Sequence, residues 1–208
     1  MITQPAFGDM TGDGVPDFAM GGSGPLYLVS LAMSSVQEFQ HGVAAWDGVT
    51  GEMLPGFPRQ VDDVSFLVAP TIADVTGDGV PELLYGSGGF LLYAWDGWGN
   101  LADGFPKNTG GWMLGGPALG DIDADGFHDV VAVTRTGFVH AWGTSGSAAI
   151  SPGWASTFHD AQNTGNASWP LPEQDGPGLV QGGCCGRGGG GSAWMVFVLP
   201  LLVARRRV

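Results

Sequence analysis

Through most of this chain, short apolar runs alternate with stretches of Gly, Asp and Asn. "PTIADV", "ELLYGS" and "LLYAWD" are β-prone runs of this kind, each ended by turn residues. "DVVAVTRTGFVHAW", residues 129–142, reads as two strands joined by a turn at Arg135 to Gly137. Helical periodicity is scarce. The pattern predicts an all-β protein built from short hairpins.

The runs recur as a phrase. "PAFGDMTGDGVPDFAM" begins at Pro5, "PTIADVTGDGVPELLY" at Pro70 and "PALGDIDADGFHDVVA" at Pro117. A second landmark follows each phrase: "AAWDG" at Trp46, "YAWDG" at Trp95, "HAWGT" at Trp142. A third follows that: "LPGFP" at Phe57, "ADGFP" at Phe105, "SPGWA" at Trp154. The leading aspartates Asp9, Asp74 and Asp121 are 65 and 47 residues apart. The first repeat carries 16 extra residues around "GPLYLVSLAMSSVQEF", which accounts for most of its longer period. A period near 47 residues is that of one four-stranded propeller blade. The expected fold is therefore a partial β-propeller of about three four-stranded blades over residues 1–166. A Gly-rich β-sandwich is the competing architecture. The repeated tryptophans are expected to pack between blades, while Trp98 and Trp112 are freer to face a ligand. Closed propellers have about four to eight blades. Three leave open sheet faces, so further blades before Met1, or a partner chain, are expected to complete the ring.

Composition sharpens the picture. Gly supplies 38 of 208 residues, as tight turns require, and the formal charge of −13 excludes the basic face of a nucleic-acid binder. Ten of the 20 acids fall in three nine-residue windows. These are Asp9, Asp13, Asp17; Asp74, Asp78, Glu82; and Asp121, Asp123, Asp125, Asp129. Alternating oxygen donors followed by Gly are how a short loop wraps a hard cation. The calcium-loop pattern places side-chain oxygens at positions 1, 3 and 5, Gly at 6, a carbonyl at 7 and an acid at 9. Asp121, Asp123, Asp125, the Phe127 carbonyl and Asp129 fit best. Asp9, Thr11, Asp13, the Val15 carbonyl and Asp17 form the first set; Asp74, Thr76, Asp78, the Val80 carbonyl and Glu82 form the second. Threonine offers only a neutral hydroxyl, and an apolar strand follows where helix–loop–helix calcium proteins have a helix. Waters must complete the shell, and magnesium, with its octahedral demand, suits the loops less well. The alternative is that Asp and Thr only hydrogen-bond the turns. Mutual repulsion of the carboxylates favours an ion, one per blade, holding the first hairpin of each blade in register.

"DVTGDGVPE" and "DIDADGFHD" resemble the FG-GAP/VCBS-type repeats of integrin-α-like β-propellers. "AWDGVTGEMLPGFP" and "YAWDGWGNLADGFP" resemble the bacterial members, and "FHDAQNTGN", residues 158–166, is similar to the phrase that ends such propellers. The resemblance implies a calcium-stabilised propeller on secreted or surface proteins, in adhesion or as an accessory to a secreted enzyme. Phe127 and His128 depart from the usual Val-Pro, which changes the turn but keeps the ligands.

Residues 167–191 read as a Pro/Gly-rich linker, and residues 192–208 as an apolar tail ending in Arg205, Arg206 and Arg207. The apolar run from Ala193 to Ala204 is 12 residues, short of the ~20 that span a bilayer. A buried strand is the competing reading. The adjacent Cys184 and Cys185 are too close to act as a structural staple. The order Cys, Gly-rich spacer, short apolar run and Arg cluster resembles the myxobacterial C-terminal sorting signal (the MYXO-CTERM type). That resemblance implies processing or lipid attachment at Cys184 or Cys185, and display at the surface or outer membrane of a Gram-negative bacterium.

No GxSxG elbow, HExxH or P-loop is present, and His41, His128, His140 and His159 are dispersed. His159 and Asp160 read as a structural hydrogen bond. The expectation is a non-catalytic surface module binding extracellular protein or glycan. The alternative is the C-terminal accessory region of a larger secreted enzyme, such as a subtilisin-like peptidase.

Overall fold

The computed structural model describes residues 3–24, 41–65, 67–160 and 162–166. Residues 25–40 of the first repeat's insertion, the linker at 167–191 with Cys184 and Cys185, and the tail at 192–208 lie outside the described residues.

Each repeat folds into one antiparallel sheet. The first is β1 (Ala6–Gly8), β2 (Asp17–Ser23), β3 (His41–Trp46) and β4 (Arg59–Gln60), adjacent in that order. The second is β5 (Thr71–Ala73), β6 (Glu82–Gly86), β7 (Leu91–Trp95) and β8 (Lys107–Asn108). The third has β9 (Ala118–Gly120), β10 (Phe127–Val133) and β11 (Val139–Ser147). The chain is all-β, three open propeller blades with no helix among the described residues. The acidic loops join the first two strands of each blade, where paired strands must turn through a short polar stretch.

Strand alternation gives every blade two faces. In β2 and β3, Ala19, Gly21, Val43 and Ala45 point one way, and Phe18, Met20, Ala44 and Trp46 the other. In the second blade Leu84, Gly86, Leu92 and Ala94 form the small aliphatic face, and Leu83, Tyr85, Tyr93 and Trp95 the aromatic one. The blades pack aromatic face on aliphatic face. The Tyr85 ring lies over Gly21 so closely that a Cβ there would come within 2.5 Å of three of its atoms. Glycine is required at this crossing because the ring occupies the place of a side chain. Tyr85, Leu83 and Ile72 are fully buried by the packing, and Val130 and Ala132 occupy equivalent buried places in the third blade.

The third blade differs from the expected four strands. In the first two, the Gly-Phe-Pro turn brings the chain back to pair with the third strand, as Val43↔Arg59 and Leu92↔Lys107. At Gly153-Trp154 the chain goes elsewhere. Trp154 exchanges two backbone hydrogen bonds with Ile72 of β5, at 2.8 and 3.1 Å, and the Ala155 carbonyl accepts the Leu119 amide of β9 at 2.9 Å. Gly153 lies against Gly8 of β1, where a Cβ would stand 2.7 Å from the Gly8 Cα. Residues 153–155 therefore touch the first strand of every blade. Those strands each have one neighbour in their own sheet, so their free edges carry unpaired backbone groups that a crossing segment can satisfy. The Trp154 ring is buried between Phe7, 5.5 Å away, and His159, 4.8 Å away.

Candidate metal centres

The three acidic loops share one hydrogen-bonding scheme. The carboxylate at position 1 accepts the amide of position 6: Gly14 to Asp9 at 2.8 Å, Gly79 to Asp74 at 3.0 Å, Gly126 to Asp121 at 2.9 Å. The acid at position 9 accepts the amide of position 2: Met10 to Asp17 at 2.9 Å, Val75 to Glu82 at 2.8 Å, Ile122 to Asp129 at 3.0 Å. The acid at position 5 accepts the amide of position 7, from Val15, Val80 and Phe127. This much is the turn chemistry of Asx motifs, and it coils the loop so that its carboxylates converge. Position 6 is left-handed in each loop, with φ of 87° at Gly14, 89° at Gly79 and 88° at Gly126. Position 4 is left-handed too, and there Ala124, at 59°, stands where the other loops have Gly12 and Gly77.

Convergence differs among the loops. Asp74, Asp78 and Glu82 each bring a carboxylate oxygen within 4.8 Å of the other two, and so do Asp121, Asp123 and Asp129. Among the described residues these are the groups of three or more potential ligands that close. Asp125 is outside the second group, with one oxygen on the Phe127 amide at 3.0 Å. In the first loop, the Asp9 oxygens receive the amides of Gly12, Asp13 and Gly14. Asp17 receives those of Met10, Thr11 and Gly48. Asp9, Asp13 and Asp17 form no such group. The two threonines also act within the loops: Thr76 Oγ1 donates to Glu82 Oε1 at 2.9 Å and Thr11 Oγ1 to Asp9 at 3.5 Å.

Burial sets the electrostatics at position 9. Glu82 is 3 % exposed, and desolvation pushes its carboxyl up to about 7 against the hydrogen bonds from Val75 and Thr76. Repulsion from Asp74 and Asp78 adds to the rise as a smaller cause. Asp129 is raised by desolvation as well, with Asp125 and Asp121 contributing, and Asp17 is raised by desolvation against three backbone amides. Mutual repulsion, which the sequence suggested as the reason for an ion, ranks below burial at this position. A buried carboxyl next to two other acids is a group that a divalent cation stabilises in its ionised form. The oxygen-only donor sets of the second and third loops fit such a hard cation.

The other singled-out residues fall as follows. Trp95 is buried between blades, whereas Trp46 and Trp142 are half-buried, each stacked on a neighbouring ring: Phe18 at 4.9 Å and His140 at 5.4 Å. Trp98 is 70 % exposed, and the Arg135 guanidinium lies over the Trp112 ring at 5.6 Å. His159 Nδ1 is 3.0 Å from Asp160 Oδ2, and both residues are buried. Burial pushes the Asp160 carboxyl up, but the Thr164 hydroxyl, His159 and the amides of Thr164 and Gln162 outweigh it and hold it at about 2. That constellation closes a turn. Two structural acids went unread in the sequence. Asp47 and Asp96, in the repeated Trp-Asp-Gly, cap the turns after β3 and β7 through the amides of Val49, Thr50, Trp98 and Asn100. Their recurrence after Trp46 and Trp95 was the available signal.

No protein-family model matches the chain, and no curated protein matches it. Among solved structures, the crystal structure of the V. cholerae biofilm matrix protein Bap1 is similar, with 23% sequence identity and a TM-score of 0.47. The similarity covers 71% of this chain and 24% of that one, so this chain corresponds to about a quarter of that protein's length.

Proposed function

We propose that this chain is a non-catalytic, calcium-stabilised repeat module, displayed outside the cell, that presents its blades to extracellular protein or glycan. The observation that carries the metal part is the pair of closed carboxylate groups, Asp74, Asp78, Glu82 and Asp121, Asp123, Asp129. Each joins the first two strands of its blade. An ion there would offset the burial of Glu82 and Asp129 and lock the hairpin without any chemistry on a substrate. The first loop is the weakest candidate, because Asp9, Asp13 and Asp17 form no closed group, although Asp74 in the second loop accepts as many amides as Asp9. Export and surface attachment rest on the Cys184-Cys185, Gly-rich, apolar and Arg-rich order of the tail. The repeats' resemblance to FG-GAP/VCBS propellers supports adhesion as the role.

Calcium titration by calorimetry, with thermal unfolding in calcium and in chelator, tests this reading. Two ions per chain and a melting temperature that rises with free calcium are expected. Asp121→Ala and Asp74→Ala should each remove one ion. A folded protein that takes up no calcium refutes the metal assignment and leaves the loops as turns.

A further inference from the structure

Each blade has one aromatic and one small aliphatic face, and the two mate twice inside the molecule. The stack leaves one face of each kind uncovered by described residues. At the first blade it is the aromatic face: Phe18, Met20, Ala44 and Trp46 are half-buried there, while the equivalent Leu83, Tyr85 and Trp95 of the second blade are sealed. A shallow depression of about 660 Å³ lies over this face, lined by Met20, Ala44, Trp46 and Arg59. At the third blade it is the aliphatic face. Val133 is 51% exposed and Val139 38%, where Val43 and Leu92, equivalent to Val139, are 1% and 0% exposed. Gly21 and Gly86, at the place of Val133, are buried as well.

We propose that two copies of this chain mate head to tail. The Phe18, Met20, Ala44 and Trp46 face of one copy packs on the Val131, Val133, Val139 and Ala141 face of the other, and the reverse pair closes the ring. The occupant follows from the repeat. Each open face is the register equivalent of a surface that its counterpart already covers inside the chain, so a second copy continues an interface the molecule makes twice. Both faces are apolar, as the sealed ones are, and such patches on a water-exposed sheet favour burial. A heterologous contact of this kind closes or polymerises according to its rotation. Two copies of the three described blades make six, within the about four to eight of closed propellers.

The test is sedimentation velocity and light scattering on the full chain, in mild detergent because of the apolar run at 193–204. A particle of two chains is expected. Met20→Asp and Val133→Asp should each weaken self-association at least tenfold. Because each variant keeps the face the other has lost, an equimolar mixture should recover a two-chain particle. Ala44→Asp and Val139→Asp form a second pair at the same faces, and circular dichroism confirms that each variant is folded. Four outcomes overturn the proposal: a monomeric wild-type chain, an open polymer, association unaffected by folded variants of both pairs, or folded variants that lose association without recovery on mixing. Preceding blades or another protein as the true cover would appear as the first outcome. Association through the apolar run would appear as the third.

Discussion

At the scale of single residues, the ninth loop position couples the hairpins to pH. Without a cation, the native Glu82 carboxyl keeps its proton up to about 7, whereas the unfolded chain releases it around the ordinary value of 4.5. Between those values the native state binds more protons than the unfolded state, so stability falls as pH rises. The loss is at most about 3 kcal/mol for this one group. Calcium bound in this loop, as proposed, would reverse the sign, because it would hold the ionised carboxylate more tightly as protons leave. Urea unfolding across this window, in chelator and in calcium, should show slopes of opposite direction, and Glu82→Gln should flatten the chelator slope. A slope that survives Glu82→Gln would place the proton uptake at Asp129 or Asp17, which burial also raises. The acid spacing was plain in the sequence. Burial of position 9 was legible only as the start of an apolar run. Closure in two loops but not in the first was hidden: the acid spacing is the same in all three, and in the first Asp17 also accepts the Gly48 amide, 31 residues away.

At the scale of elements, register decides which side chains meet. Alternation in β2, β3, β6 and β7 follows from the sequence, and a slip of one residue would exchange the aromatic and aliphatic faces of a strand. The position of Gly21 on the face beneath Tyr85 is a product of that register. Gly21→Ala should cost about 1–3 kcal/mol, since the methyl group has no room and the ring cannot leave a sealed face. Gly120→Ala in β9 is the matched control: a Cβ there meets nothing within 4 Å, and the change should stay within about 0.5 kcal/mol. Denaturant unfolding of the two variants compares them directly, and equal costs would mean that Tyr85 does not seat on the first blade as described.

At the scale of the whole molecule, the segment around Trp154 ties together the first strands of the three sheets. Trp154→Ala removes a buried ring and should lower stability by about 3–5 kcal/mol. Hydrogen exchange tests whether the segment also clamps the strands. The Ile72 and Leu119 amides, which donate to Trp154 and Ala155, should lose protection more than the ladder of β6 and β7. Unchanged protection at Ile72 would show that Trp154 is packing alone. The sequence placed this tryptophan with Phe57 and Phe105 as a repeat landmark. That alignment holds for the chain but fails for the pairing, because no following strand returns to β11 among the described residues.

The sequence by itself determined the repeat, the β class and the loop that joins the first two strands of each blade. All of these are local: alternation, Gly at left-handed positions and acids at fixed spacing act within one hairpin. Tertiary structure alone decided which carboxylates converge, why position 9 is hard to ionise, and where Trp154 goes. Each of those depends on partners tens of residues away, whose approach is set by blade packing and by the free edges it leaves. The same packing shows which sheet faces are sealed and which no described residue covers, because an aliphatic face reads alike in the sequence whether or not another blade covers it.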